Sequence, residues 1–272
     1  MNVARTCGLT LLVLCVLGGL VAALFSPTLA ATLTLPATPA ASQSTAPPNV
    51  EPALLTVGPT PTIGATTAQP TQLPSSVTML VQDTFQRPDQ SLWGQSSDGQ
   101  IWSGDANTNP FFSIVNGAGQ ISGGPDAVQA IMHVASQDAE LLVSGTVNQY
   151  NAHGTINLGG VLRWQDSQNW YKVLIDGSKL QLLKSVQGKI SVLATQPFNA
   201  VGGTAYSIRF RVLGSDLFAK AWSSTQPEPA HWGLMVIDTD LRTGNSGIRV
   251  LLGDHTIIRI QTFVETNVPP AV

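Results

Sequence analysis

DLFAKAWSSTQPEPAHWGLMVIDTDLRTGNSGIRVLLG, residues Asp216–Gly253, decides the fold class of this chain. It holds a short alternating run, a turn marked by two prolines, a second apolar run and a glycine-rich return to a third run. Short apolar runs separated by turn residues at this spacing are typical of the strands of a β-sandwich. The stretch therefore predicts an all-β domain.

The same rhythm extends on both sides of this stretch. Explicit turn signals separate the runs, namely Asp176-Gly177, Gln187-Gly188, Gly202-Gly203 and Gly214-Ser215. No segment repeats apolar residues at helical spacing over three turns. We predict strands at Leu80–Phe85, Phe112–Val115, Gly119–Ile121, Ala127–His133, Glu140–Val147, Thr155–Trp164, Asn169–Asp176, Lys179–Lys184, Ile190–Ala194, Ala205–Val212, Leu217–Trp222, Met235–Ile237, Gly247–Leu252 and Thr256–Val264.

Ser207–Val212 shows the alternation most clearly. Ile208, Phe210 and Val212 occupy one side of the predicted strand, and a serine and two arginines occupy the other. A sheet that is apolar on one face only needs a second sheet to cover that face. We therefore expect two packed antiparallel sheets with almost no helix.

Several motifs in this order resemble the concanavalin A-like (laminin G-like) jelly rolls. They are Asp83–Arg87 with Trp93-Gly94, Gly160–Trp164 leading to Trp170-Tyr171, Ala219–Trp222, Glu228–Trp232, Gly247–Arg249 and Arg259–Phe263. The resemblance covers nearly all of residues 81–264 and implies a two-sheet jelly roll of lectin-like or glucanase-like character. Gln261 and Thr262 replace an acidic residue of the family's last strand, so the resemblance carries no calcium site here.

The N-terminal segment predicts export. Arg5 precedes an apolar run from Leu9 to Phe25, and Thr28-Leu29-Ala30 offers small residues before a cleavage point. A retained membrane anchor is the alternative, because the apolar run from Leu9 to Phe25 is close to the length of about twenty residues that a spanning helix needs. Residues 1–30 are thus a signal peptide or an anchor, and the protein is expected to be secreted or extracytoplasmic, touching a membrane only through this segment.

Residues 31–78 differ sharply in composition. They hold nine of the chain's 18 prolines and eleven threonines, and Glu51 is their only charged residue. Such a segment offers too little apolar area to offset the entropy of ordering it. We predict a disordered tether, then one domain at residues 79–267 and a short tail at residues 268–272.

Composition also restricts the chemistry. A net charge of −3 provides no basic stripe for nucleic acid. The only cysteines, Cys7 and Cys15, lie in or beside the N-terminal apolar run, and no residue pattern calls for a cofactor or metal. Family 16 glycoside hydrolases need an E-x-D-x-x-E arrangement of carboxylates, and none of the four glutamates has an acidic residue two positions later. The Asp238-Thr239-Asp240 pair is interpreted as a solvated turn, with a weak Ca²⁺ or sugar contact as the alternative.

Sugar recognition needs aromatic faces supplemented by planar polar groups. The hairpin from Trp164 to Tyr171 concentrates both, and of the adjacent Trp170 and Tyr171 one must point inward. The family resemblance implies instead that Trp93 and Trp102 pack the end of the sandwich. The predicted ligand-binding residues are Trp164, Asp166, Gln168, Asn169, Trp170, Tyr171 and Trp222. Packing in the core is the alternative for each of the four aromatic residues.

These observations favour an exported, non-catalytic, lectin-like module whose partner is a glycan or cell-wall polysaccharide. Two alternatives stay open. One is a structural or protein-interaction sandwich of the cell envelope, and the other is a glycoside hydrolase with a non-standard active site.

Overall fold

The computed structural model describes residues 77–269, which form an all-β domain of sixteen strands. The predicted signal or anchor segment and residues 31–76 of the predicted tether lie outside the described residues. The strands are β1 (Met79–Asp83), β2 (Gln90–Ser91), β3 (Ser103–Gly104), β4 (Phe112–Val115), β5 (Ala118–Gly123), β6 (Asp126–Ser136), β7 (Ala139–Val147), β8 (Leu158–Asp166), β9 (Asn169–Ile175), β10 (Lys179–Val186), β11 (Lys189–Pro197), β12 (Ala205–Leu213), β13 (Asp216–Ser223), β14 (Leu234–Ile237), β15 (Gly244–Leu252) and β16 (Thr256–Asn267).

The strands form two antiparallel sheets. The nine-stranded sheet has the order β14-β13-β12-β7-β16-β5-β4-β2, with β1 pairing to the second half of β16. The seven-stranded sheet has the order β11-β10-β9-β8-β15-β6-β3. The predicted two-sheet antiparallel sandwich is thus confirmed.

Each of the fourteen predicted strands is present, with ends that differ by a few residues. The sequence missed only β2 and β3, because a two-residue strand is too short to display alternation. One 3-10 turn at Asp105–Asn107 is the only helical element of residues 77–269, and no helix in that range is long and apolar enough to cross a membrane.

Alternation in β12 places the core as expected. Ile208, Phe210 and Val212 are buried between the sheets, while Arg209 and Arg211 face outward from the nine-stranded sheet. The outward face of the seven-stranded sheet differs, because it carries a second group of buried apolar residues that is described below.

One end of the sandwich is closed by aromatic rings. Trp93 packs edge-on against Phe85, Trp102 and Phe112 at centroid distances of 4.9, 5.0 and 5.0 Å. Both tryptophans are fully buried, which confirms their predicted packing role.

A buried carboxylate organises this end. Asp83 accepts hydrogen bonds from Trp102 Nε1 at 2.7 Å, from the Phe85 amide at 2.7 Å and from both terminal nitrogens of Arg87 at 2.8 and 3.1 Å. The Asp-x-Phe-x-Arg motif at the start of the domain is therefore structural.

Candidate functional site

The seven-stranded sheet carries an apolar cluster on the face turned away from the core. It consists of Ile131 on β6, Val161 and Trp164 on β8, and Trp170 on β9, with Leu183 of β10 packed against them. The side chains alternate along each strand, so the neighbours Leu162 and Tyr171 point into the core instead. We call this group of five residues the outer cluster.

A bulge in β8 decides that Trp164 joins the outer cluster. Strict alternation would send Trp164 to the same side as Leu162, which lies in the core. The pairing of β8 with β9 shifts register between Leu162 and Asp166, and Arg163 adopts a positive φ of 50°. Its guanidinium turns inward and donates to the carbonyls of Gln137, Leu241 and Gly214, so the next side chain turns outward.

Arg249 of β15 covers the two tryptophans. Its Cζ lies 5.7 Å from the ring centroid of Trp164 and 5.3 Å from that of Trp170. Both are cation–π contacts that hold the guanidinium over the two rings. Trp164 is 7% exposed and Trp170 is 2% exposed, so the rings serve as a floor for Arg249 and do not form an open stacking platform.

One polar chain leads away from Arg249. Its Nη1 donates to Gln129 Oε1, and Asp105 Oδ2 accepts from the Gln129 amide at 2.9 Å and from Gln129 Nε2 at 2.8 Å. Burial lowers the pKa of Arg249, and the charge of Asp105 partly offsets this. Gln129 Oε1 is the only hydrogen-bond acceptor that Arg249 has among the described residues, which leaves guanidinium N–H groups for a ligand.

Lys172 lies beside Arg249 on the same face and is only 3% exposed. Its Nζ donates to Asn157 Oδ1 at 2.9 Å. Gly159 makes room for it, since a Cβ there would lie 2.8 Å from Lys172 Cε. Burial, and secondarily the charge of Arg249, hold the pKa of Lys172 well below its usual value.

The polar tip of the predicted hairpin lies at the rim of this face. Asp166 Oδ1 accepts from the Gln168 amide at 2.7 Å and from Asn169 Nδ2 at 3.0 Å, and these bonds lower the pKa of Asp166. Asn169 Oδ1 accepts from the Gln187 amide at 2.9 Å, which ties the tip to the next hairpin. Asp166 and Gln168 are exposed.

Of the neighbours Trp170 and Tyr171, one had to point inward because side chains alternate along a strand. That residue is Tyr171. Its ring is fully buried in the core, and its hydroxyl donates to Asp238 Oδ1 at 2.5 Å. Burial and the bond to Asp238 raise the pKa of Tyr171 to about 12. Its ring is thus not presented to a ligand.

The acidic pair near Tyr171 is engaged within the protein. Lys184 bonds to Asp238 and, at 2.5 Å, to Asp240 Oδ2. Within residues 77–269 no group of three His, Cys, Asp or Glu side chains could hold a metal ion.

Trp222 lies on β13 of the other sheet, opposite Ser207, so the fold separates it from the hairpin. Arg249, Gln129 and Lys172, which the site prediction missed, lie close to Trp164 and Trp170 instead. One signal for Arg249 was present, because it alternates with Ile248 and Val250 in a strand that resembles the family motif. Nothing in the sequence says which strands flank it.

The glutamates of the nine-stranded sheet form ion pairs. Glu140 binds Arg209 and Arg211, and Glu228 binds Arg209 and Lys220. Burial opposes ionisation of Glu228, but hydrogen bonds from Lys220 and Arg209 outweigh it and lower the pKa of Glu228. Glu228 is thus held as a carboxylate, whereas the general acid of a glycosidase must be neutral.

Comparison with known proteins places the fold. No family model matches the chain, and no curated protein matches it. A xylan β-1,4-xylosidase from Bacillus halodurans is similar over 68% of this chain, at 13% identity and a TM-score of 0.52. A non-specific endo-β-1,3(4)-glucanase of family GH16 is similar over 73% of this chain and 94% of its own, at 9% identity and a TM-score of 0.51.

The fold is a glucanase-like β-sandwich. The matched region spans only 39% of the xylosidase, so the match concerns part of that enzyme. The carbohydrate-binding module CBM66 from Bacillus subtilis is similar over 59% of this chain and 92% of its own, at 15% identity and a TM-score of 0.48. At these identities the likeness concerns the fold alone.

Proposed function

We propose that this domain is an exported, non-catalytic member of the concanavalin A-like jelly rolls that binds carbohydrate on the outward face of its seven-stranded sheet. One observation carries the proposal. Arg249 is fixed over Trp164 and Trp170, and only one of its hydrogen-bond donors is used within the described residues. A guanidinium held in this way can donate to sugar oxygens without first losing rotamer freedom.

The surroundings of Arg249 suit a sugar. Gln129 presents an amide beside the guanidinium, and the rim carries the exposed polar side chains of Asp166 and Gln168. These groups offer both donors and acceptors, which a polyhydroxylated ligand needs. Trp164 and Trp170 act by positioning Arg249 and contribute little stacking surface of their own.

The comparisons support the same class of ligand. The xylosidase and the glucanase that share this fold act, by their names, on polysaccharides. The lack of an E-x-D-x-x-E arrangement in the sequence supports binding without hydrolysis of the family 16 kind. The apolar N-terminal run supports a location outside the cytoplasm, where free polysaccharide is met.

Replacing Arg249 with glutamine is expected to weaken glycan binding by about tenfold or more, because charge-assisted hydrogen bonds each contribute roughly 1.5–3 kcal/mol. The measurement is a glycan array with the whole chain, followed by titration of the best ligand. Trp170→Ala is a poorer probe, since a buried ring also supports the fold.

Arg259→Gln is the matched control, because it removes the same charge from β16 of the other sheet and should bind like the parent. Thermal melts of both variants separate binding from stability. Unchanged affinity in Arg249→Gln would remove this face from the proposal.

A second candidate, a protein-interaction sandwich, is favoured by the edge of the nine-stranded sheet. Met235 and Ile237 on the edge strand β14 are 66% and 72% exposed. Exposed apolar residues on a strand edge invite pairing with another chain. Sedimentation of the whole chain and of Met235→Lys tests this, and self-association that the lysine abolishes would favour it.

A further inference from the structure

The ionisable side chains on the outward face of the seven-stranded sheet are basic. Along β6, β8, β9, β10 and β15, the residues that alternate with core residues face outward. These outward-facing residues include Lys172, Lys179, Arg249 and His133. Among the described residues, none of the outward-facing side chains inside these five strands is an aspartate or a glutamate. Asp105 and Asp166 border the face, where they hold Gln129 and the hairpin tip.

Elsewhere among the described residues, six basic side chains that are partly or fully shielded from water have carboxylate partners. Ion pairs join carboxylates to Arg87, Arg163, Lys184, Arg209, Arg211 and Lys220. Within residues 77–269, neither Lys172 nor Arg249 has such a partner, although Lys172 is buried and Arg249 is half-buried. Burying a positive charge is costly unless an anion accompanies it.

The two unpaired cations lie next to each other. Burial and the mutual repulsion of Arg249 and Lys172 depress the pKa of Lys172. The charge of Asp105 partly offsets the burial of Arg249, but Asp105 bonds to Gln129 and forms no ion pair with either cation among the described residues. An anion placed at Arg249 would relieve the repulsion and recover part of the desolvation cost of both groups.

The form of the site indicates which anion it accepts. The Arg249 guanidinium is held over two indole rings, and its planar fork of N–H groups matches the two oxygens of a carboxylate. The neighbouring amide and rim groups suit hydroxyl groups. With a net charge of −3, the chain as a whole does not attract polyanions indiscriminately.

We propose that the glycan bound at this face is acidic, a polysaccharide of uronic acid units, and that Arg249 binds the sugar carboxylate. This inference rests on the proposed carbohydrate function and goes further by naming the ligand class.

The test compares acidic polysaccharides with their own neutral forms. The whole chain is titrated with polygalacturonate and with alginate, and in parallel with the carboxyl-reduced polymers, which keep the backbone and lose the charge. We expect the parent protein to bind at least one acidic polymer about tenfold or more tightly than its reduced form. The preference should weaken as salt rises from about 0.05 to 0.5 M, because the Debye length shortens.

Arg249→Gln should abolish the preference, and Arg259→Gln should keep it. Equal binding of acidic and reduced polymers would overturn the acidic assignment while leaving carbohydrate binding in place. Binding to none of the four polymers and to no glycan on the array would overturn both proposals. Binding of inorganic polyphosphate as tight as that of the uronates would also overturn the assignment, since it would indicate attraction to any polyanion.

Discussion

Replacing Asp83 with alanine is expected to lower the free energy of unfolding by about 3–5 kcal/mol. The carboxylate is fully buried and accepts bonds from Trp102 Nε1, Arg87 and the Phe85 amide, so its loss leaves several buried donors unpaired. For a domain of this size the melting temperature should fall by about 6–20 °C. Denaturant unfolding followed by tryptophan fluorescence measures the change.

Asp254→Ala is the control for this prediction, because it deletes an exposed carboxylate and should change stability by no more than about 0.5 kcal/mol. The double variant Asp83→Ala with Arg87→Ala should lose less than the sum of the two single changes, since the partners act on each other. A small effect of Asp83→Ala would show that the Asp-x-Phe-x-Arg motif does not hold this end of the sandwich together.

The second large effect concerns Glu265, whose carboxyl is fully buried with only Ser136 and Ser246 hydroxyls as partners among the described residues. Burial raises the pKa of Glu265 from 4.5 to about 7, against the opposing hydrogen bonds from the two serines. The folded state therefore keeps a proton that the unfolded state has already released. Stability from this group is complete below about pH 4.5 and is lost as the pH rises to about 7.

Glu265→Gln should remove this loss, because an amide can occupy the same space and bond to both serines without ionising. A shift of about 2.5 pH units corresponds to about 3 kcal/mol, so the variant should gain that much on the parent between about pH 4.5 and pH 8. Urea unfolding across this range measures the difference. Parallel stability curves for the two proteins would contradict the assignment, and Asp126→Asn, which alters an exposed carboxylate, should give such parallel curves.

The residues of the outer cluster show which features of the candidate site could be predicted from the sequence and which could not. Trp164 and Trp170 were predicted to stack on a ligand, yet their rings lie beneath Arg249. The prediction that only one of the neighbours Trp170 and Tyr171 faces outward was correct, because adjacent residues of a strand face opposite sides. Trp222 was grouped with them only because it is aromatic, and the strand order places it in the other sheet.

The sequence by itself determined the class of fold, the positions of the longer strands and the inward side of strands such as β12, because alternation and turn chemistry are local properties of the chain. It also determined that the aromatic end near Trp93 and Trp102 packs inward. Which residues come together at the candidate site was decided only by the tertiary structure. The bulge at Arg163 reverses the face of Trp164, and the register of β15 between β6 and β8 brings Arg249 over two rings that lie about eighty residues earlier in the chain. Register and strand order are set by long-range pairing, which no local pattern encodes.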